Sequence, residues 1–396
     1  MKKLSMILPL ALILCFMVGC QDKESYVDRF MEGGVEVVMN LPVPHDELEN
    51  PVLTQILSID TENDELVNYG LNDIWGFDVN SSGDIFIYKH PMSQKDFILK
   101  FDGSGEFIKS FGNKGQGPGE IQNPEYQKIN IRDEISVFDF ISKKLLLFDD
   151  NGDLIHEFKP EAKISSTRLL LPLTNGNYLY RKVETVGDTW NYVLLLIDSN
   201  FKEIAELGRI STANILRASQ IKYPFPVLTW GISNRDVFVG VEGRGYDIHV
   251  YDFEGTLIRK IRKEYMPVPF SEESRRHAVK RWEDIGYQSE EVETPKSNPP
   301  FQHLFADDIG RLYVATFEPG YNKGEFMIDV FDTEGVLFSR LSLRLLLNGE
   351  IIWQDTPTDS WVTVRNDILY CIQEKESGHK ELVAYEMGAM MQLSGS

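Results

Sequence analysis

Apolar and polar positions along the chain repeat one short pattern five times. Each copy has an apolar or aromatic residue, an acid, two or three turn residues that mostly end in Gly, and a second apolar run. The acids of the five copies are Asp102, Asp149, Asp198, Asp252 and Asp332. Because Asp side chains cap turns and Gly supplies a positive φ, each copy predicts two β-strands joined by a tight turn.

A second hairpin-like unit precedes each copy. The two hairpins together give four strands per repeat. These units lie at 78–88, 129–139, 171–181, 232–241 and 305–316, and a sixth at 362–372 leads into a strand-like run at 381–387. Four strands per unit, at a spacing of about fifty residues, are typical of propeller blades. We therefore predict an all-β, six-bladed β-propeller with four-stranded antiparallel blades.

The last blade is incomplete in this pattern, since its unit has only three clear strands. An apolar run at 52–60 has no blade of its own. We expect this N-terminal strand to become the outer strand of the last blade, which closes the ring and leaves no open sheet edge there.

One insertion, at 262–300, interrupts the blades and shows no strand alternation. Ser271 is suited to cap a helix, acids follow in the first turn and basic residues come after them, which predicts about fifteen helical residues. Ala278, Trp282 and Ile285 form a narrow apolar stripe at helical spacing. We expect the helix to pack across one propeller face, either as a lid or docking element or as a cover for exposed strand ends.

The N-terminus predicts export. A basic start is followed by an apolar run, 4–18, that is too short to span a bilayer comfortably, and then by Gly19, Cys20 and a polar stretch. This order resembles a bacterial lipobox. The resemblance implies a signal peptide at 1–19 and lipidation of Cys20, whereas an ordinary secretory signal with a chance Cys is the alternative.

These boundaries divide the chain into four parts. After the signal peptide, residues 20–50 are predicted to form a tether and N-terminal extension, residues 51–390 the propeller, and residues 391–396 a C-terminal tail. Cys15 lies in the signal segment and Cys20 would carry lipid, so Cys371 remains a free thiol and no internal disulfide can form.

Charge narrows the possible partners. The chain has 61 Asp and Glu against 40 Lys and Arg, a formal net charge of −21. Such a charge repels nucleic-acid phosphates and anionic lipid surfaces, so we expect no nucleic-acid partner. The expected contact with a membrane is therefore through the lipid anchor and not through basic residues.

Together, the repeats and the N-terminal segment resemble the six-bladed, NHL-like β-propeller lipoproteins of Gram-negative envelopes. The most specific element is 107–124, in which Gly117-Pro118-Gly119-Glu120 follows the outer strand of the first blade, as in that family. The resemblance implies the fold and a lipid-anchored place in the bacterial cell envelope, at the outer membrane and facing either the periplasm or the surface. It transfers no catalytic residues. By itself, the glycine-rich stretch predicts a connector between blades and not a phosphate cradle, because no Lys-Ser/Thr ending follows it.

Candidate site residues come from the loops at the channel, since propellers build sites from one contribution per blade. Trp75, Trp230 and Trp361 each stand two to four residues before the inner-strand apolar position of their blade, which is Val79, Ile232 or Val364. We expect them to cluster near one end of the channel, where they either stack on a ligand or wedge neighbouring blades apart. His303, just before the inner strand of the fifth blade, is assigned to the same neighbourhood.

Two functions from different classes remain open. The first is a non-catalytic envelope lipoprotein that binds a protein, peptide or glycan and needs no cofactor. The second is a propeller enzyme of the lactonase or lyase kind, which would hold Ca²⁺ or another divalent metal in the channel through Glu, Asp, Asn or His. The seven His residues are scattered singly and no HExxH, CxxC or G-x-S-x-G motif occurs, which favours the binding function.

Overall fold

The computed structural model describes residues 26–44, 48, 50–90, 95–159, 167–214, 219–284, 286–345 and 361–388. Residues 1–25, with the signal-like segment and Cys20, therefore lie outside the described residues, as does Ile285. The first described elements are three strands and a short helix: β1 (Val27–Glu32), β2 (Val35–Asn40), β3 (Leu53–Asp60) and α1 (Asp64–Asn68).

Six antiparallel sheets follow and confirm the predicted six-bladed propeller. Blade 1 contains β4 (Gly76–Val79), β5 (Ile85–Tyr88), β6 (Ile98–Phe101) and β7 (Phe107–Phe111). Blade 2 contains β8 (Pro124–Ile129), β9 (Ile135–Asp139), β10 (Lys144–Phe148) and β11 (Leu154–Phe158). Blade 3 contains β12 (Thr167–Pro172), β13 (Tyr178–Val186), β14 (Thr189–Ile197) and β15 (Glu203–Ala213).

The second half of the ring carries the insertion. A short strand, β16 (Ile221–Lys222), precedes blade 4, which contains β17 (Leu228–Ile232), β18 (Asp236–Val241), β19 (Asp247–Asp252) and β20 (Leu257–Lys263). Between blades 4 and 5 lie α2 (Glu272–Glu283) and β21 (Val292–Glu293). Blade 5 contains β22 (His303–Ala306), β23 (Leu312–Pro319), β24 (Phe326–Phe331) and β25 (Leu337–Leu343), and blade 6 contains β26 (Val362–Arg365), β27 (Ile368–Glu374) and β28 (Lys380–Met387).

The first strand of each blade is the inner one. The inner strands of blades 1 and 2, 2 and 3, 4 and 5, 5 and 6, and 6 and 1 contact each other, so they surround a central channel. The apolar core lies between adjacent blades, for example between blades 3 and 4 and between blades 6 and 1. Each blade thus buries both faces of its inner strands, as in β4 and β5, in which every residue is buried, whereas the residues of outer strands such as β7 and β11 are mostly half-buried or exposed.

The five repeated Asp residues cap the outer hairpins as the pattern predicts. One carboxylate oxygen of each accepts the backbone N–H groups two and four residues later, at 2.7–3.1 Å. Gly105, Gly152, Gly255 and Gly335 then take a positive φ, and in blade 3 Phe201 adopts φ +61 in the equivalent place. A β-bulge accompanies every copy, so the motif fixes both the turn and the register.

Strand β3 closes the ring as predicted. It pairs antiparallel with β28 over Leu53–Asp60 and becomes the outer strand of blade 6. Its Ile59 is buried between blades 6 and 1, whereas Ile56 on the same strand is 51% exposed. Closure therefore depends on both a hydrogen-bond ladder and an apolar contact.

A second N-terminal element was not expected from the sequence. Strands β1 and β2 form a hairpin, and β2 runs parallel to β20, so blade 4 has six strands. The buried Asn40 side chain donates to the Gly335 carbonyl at 3.0 Å and accepts from Leu337 N–H at 2.7 Å. These bonds fasten the hairpin to blade 5 as well as to blade 4.

The insertion contains the predicted helix. The Ser271 hydroxyl oxygen accepts the Ser274 N–H at 3.0 Å, and the helix ends at Glu283, earlier than predicted, because Gly286 turns the chain with φ +106. Trp282 is fully buried, with edge-on contacts to Tyr223 and other aromatic rings. The helix therefore covers the connection between blades 3 and 4, while a docking role stays a prediction. No helix in the described part of the chain is long and apolar enough to cross a bilayer.

The glycine-rich connector between blades 1 and 2 is held by side chains of its own neighbourhood. The Glu120 carboxylate accepts the Gly117 N–H at 2.7 Å, and Glu157 accepts the Gly119 N–H at 2.8 Å. A Cβ at Gly115 would collide with the Glu120 carboxylate. These amides are engaged within the protein, as expected for a connector.

Ring closure can be tested with two isoleucines of β3. Replacing the buried Ile59 by Ala should lower the free energy of unfolding by about 2–4 kcal/mol, because it removes apolar contacts between blades 6 and 1. Ile56→Ala, on the same strand but exposed, should change it by less than about 0.5 kcal/mol. Urea denaturation measures both. Equal effects of the two substitutions would contradict closure by β3.

Candidate ligand-binding site

The four residues nominated from the sequence fall into two separate groups. Trp75 and Trp361 lie together where blades 6 and 1 meet, and the Trp361 indole N–H donates to the Trp75 carbonyl at 2.8 Å. Trp361 is buried, whereas Trp75 is half-buried and contacts the His90 ring edge-on at 4.7 Å. These two rings stand just before their inner strands begin.

Trp230 and His303 form the other group, on the far side of the ring. Trp230 packs in the core between blades 3 and 4, with the Arg181 guanidinium 5.8 Å from its ring centroid. The preceding residue, Thr229, points to the other face of the sheet, where its hydroxyl lies 2.9 Å from His303 Nδ1. Burial lowers the pKa of His303 to about 3, and the Lys128 charge adds to this effect, so the imidazole is neutral.

The expectation that the three Trp residues share one channel mouth therefore needs correction. The junction between blades 3 and 4 is diametrically opposite the junction between blades 6 and 1 in a six-membered ring. Inner-strand side chains alternate between the two sheet faces, and each face packs on a neighbouring blade. A common offset in the sequence therefore did not bring the three rings together. A role in ligand binding for Trp75, Trp230, Trp361 and His303 stays a prediction.

A cavity opens at the other end of the inner strands, and we call it the channel-mouth cavity. It is partly open to solvent, and residues of blades 2 to 6 line it. The lining comprises Lys128, Ile129, Asn130, Ile131, Leu171, Pro172, Leu173, Thr174, Ile232, Ser233, Asn234, Phe253, Ala306, Asp307, Asp308, Thr363, Val364 and Arg365. None of the four nominated residues is among them.

Hydrogen bonds join turns of different blades around this mouth. The Asp133 carboxylate accepts the Ser81 N–H at 2.8 Å and the Ser81 hydroxyl at 2.6 Å, which joins blades 1 and 2. The Asn366 amide donates to the Ser81 carbonyl at 3.0 Å, and the Asn234 amide donates to the Asp308 carbonyl at 2.5 Å. These bonds make the rim of the cavity preorganised, which lowers the ordering cost of binding.

Acidic groups at the mouth are largely satisfied within the protein. Asp307 accepts three backbone N–H groups and pairs with Arg311 Nε at 2.5 Å, and Arg311 also pairs with Asp367 at 2.5 Å. Burial raises the pKa of Asp307, and the Arg311 guanidinium opposes that rise. Within the described ranges, no group of three or more His, Cys, Asp or Glu side chains is arranged to hold a metal ion.

The comparisons with known proteins agree with this architecture. Residues 79–222 match a family model described as 6-bladed beta-propeller. The chain is a six-bladed β-propeller protein, and the fold implied by the resemblance to propeller lipoproteins is confirmed. No curated protein matches the chain.

Solved structures are similar in fold only. A member of the DUF4221 family from Bacteroides vulgatus is 11% identical, with a TM-score of 0.50 over 87% of this chain and 99% of that one. A candidate exported protein from Bacteroides fragilis is 13% identical, with a TM-score of 0.48 over 89% of this chain and 100% of that one. A gluconolactonase from Xanthomonas campestris is 8% identical, with a TM-score of 0.40 over 85% of this chain and 95% of that one. At this identity and TM-score, the similarity to the gluconolactonase gives no information about a reaction of this chain.

Truncation of the tryptophans distinguishes a wedge from a ligand contact. Trp230→Ala and Trp361→Ala should each cost about 3–5 kcal/mol in free energy of unfolding, because both rings fill cores between blades. Trp75→Ala should cost less, since its ring is half-buried. Chemical denaturation measures all three. A smaller loss for Trp230 or Trp361 than for Trp75 would contradict the wedge role.

Proposed function

We propose that this protein is an envelope-anchored lipoprotein whose propeller binds a ligand in the channel-mouth cavity outside the cytoplasm. The observation that carries the proposal is the cavity itself, a concave site lined by five blades with mixed apolar and polar side chains. Such composition is typical of ligand pockets. The ligand class is a small molecule or the exposed end of a peptide or glycan chain.

The N-terminal hairpin joins the outer edge of the ring. Strand β20 is the fourth strand of blade 4 from the channel, β2 pairs with it in parallel and β1 pairs with β2. The N-terminal chain therefore enters at the outer edge of blade 4 and not at the central channel.

The tether is also short. Residues 21–26 separate Cys20 from β1, and an extended chain of this length spans at most about 25 Å. A lipid on Cys20 would keep the outer edge of blade 4 near the bilayer, at a distance from the central channel. Ligands could then reach the cavity without displacing the anchor.

Anchoring is tested by exchanging cysteines. Cys20→Ser should release the protein from the membrane fraction and abolish incorporation of labelled palmitate, because the acylated thiol is lost. Cys371→Ser is the matched control, since Cys371 is buried in β27 and should leave fractionation unchanged. Continued membrane fractionation of the Cys20→Ser protein would contradict the lipid anchor.

Use of the cavity is tested by filling it. A panel of peptides and glycans is titrated against the protein by calorimetry, and any binder is then measured with Thr174→Trp, which places a large ring in the lining. We expect its affinity to fall at least about tenfold, because the ring occupies the volume of the ligand. Thr256→Trp, in an exposed outer turn of blade 4, is the control and should bind normally. A binder unaffected by Thr174→Trp would show that the ligand site lies elsewhere.

A further inference from the structure

Two cations of the channel-mouth cavity come from blades on either side of blade 1. Lys128 belongs to β8 and Arg365 to β26, and both line the cavity. Their side chains are 20% and 13% exposed, so most of each is removed from water. Neither charged group is among the buried polar groups of the described residues that lack a partner, so both reach water in the cavity, and a ligand can replace that water.

The Lys128 ammonium makes fewer contacts within the protein than it has N–H donors. Its ammonium forms an ion pair with Asp78 Oδ2 at 3.4 Å, and the same carboxylate accepts Val79 N–H at 2.9 Å and Ile129 N–H at 2.8 Å. In the part of the chain that the structure describes, no hydrogen bond from the Lys128 ammonium is found, although this group has three N–H donors.

The Arg365 guanidinium also makes few hydrogen bonds within the protein. Its Nε donates to the Val79 carbonyl at 3.3 Å, and Nη1 lies 4.0 Å from Asp308 Oδ2, which is too far for a hydrogen bond. Most of its five N–H groups are therefore without an acceptor among the described residues. Lys128 contacts Asp78 and Arg365 contacts Val79, so the two cations lie beside consecutive residues at the end of one inner strand.

The charge around this pair limits what can bind. Asp78 and Asp308 flank it, and Asp307 is neutralised by Arg311, so a dianion would meet repulsion that a monoanion largely avoids. A carboxylate accepts hydrogen bonds from both cations at once and carries a single charge. Blades 3 and 4 add apolar atoms of Leu171, Leu173, Ile232 and Phe253 to the same lining, although most of the surface of these side chains packs in the core between the two blades.

Building on the proposed function, we propose that the channel-mouth cavity selects ligands with a single carboxylate, which Lys128 and Arg365 bind while an apolar or aromatic body lies against the neighbouring hydrophobic lining. The negative charge of the chain as a whole would repel such a ligand. Lys128 and Arg365 supply the local attraction that overcomes this repulsion.

The test uses a matched pair of probes, para-bromobenzoate and its neutral isostere para-bromobenzamide. Calorimetry on the wild-type protein should show binding of the benzoate at least about tenfold tighter than the amide, because a hydrogen-bonded charge is lost in the amide. Anomalous scattering from bromine in soaked crystals should locate the benzoate in the cavity.

Charge removal then identifies the binding groups. Lys128→Gln and Arg365→Gln should each weaken benzoate binding about tenfold or more, whereas Arg132→Gln should not. Arg132 is an exposed cation in the adjoining turn and pairs with Glu134, so it controls for the loss of one positive charge. Circular dichroism checks that each variant folds. If Lys128→Gln does not fold, the comparison of benzoate and amide on the wild-type protein still tests carboxylate selectivity.

Two results would overturn the inference: no binding of the benzoate, or equal binding of benzoate and amide. Its failure is distinguishable from failure of the proposed function. If a binder from the peptide and glycan panel is blocked by Thr174→Trp while the benzoate does not bind, the cavity is a ligand site without carboxylate selectivity.

Discussion

The pairing of β3 with β28 is the interaction on which the rest of this propeller depends. A ring of sheets has a first and a last blade, and without a shared strand their junction would be held by side chains alone. Here the outer strand of blade 6 comes from the N-terminal side of blade 1, so separating the two blades requires breaking a whole ladder of backbone hydrogen bonds. Ile59 adds an apolar contact at the same junction.

Closure also creates the site. Lys128, Asp307 and Arg365 are far apart in the chain, and they converge because the inner strands of their blades end at one mouth. The hydrogen bonds between turns, such as that of Asn366 with the Ser81 carbonyl, hold these ends in place. Rigidity of the rim therefore follows from the ring and does not require a lid.

The segments added to the blades lie apart from the cavity. The helical insertion and the glycine-rich connector precede inner strands, while the channel-mouth cavity opens where the inner strands end. The N-terminal hairpin lies at the outer edge of blade 4. In the proposed lipoprotein, an anchor at this edge would leave the cavity accessible to ligands.

Local chemistry made much of the fold predictable. Asp102 and its four counterparts cap hairpins through the carboxylate, and a turn of this kind needs only neighbouring residues, so five copies reveal the blades directly. The same counting left 52–60 without a blade and blade 6 without a strand, which predicted the closure. Ser271 likewise marks the start of the helix in the insertion.

Contacts between distant segments were decided only by the tertiary structure. The sequence left open whether Trp230 and Trp361 wedge blades apart or contact a ligand, and it could not say which neighbouring blade covers each ring. The structure buries them on opposite sides of the ring. The hairpin β1–β2 joins β20, more than two hundred residues away, because that edge was open and offered Arg259 and Arg262 to Glu36 and Glu32. Lys128 and Arg365 stand within or beside segments that the sequence identified as inner-strand hairpins. Their convergence at residues 78 and 79 required the closed ring, since no local pattern records which side chains meet across a channel.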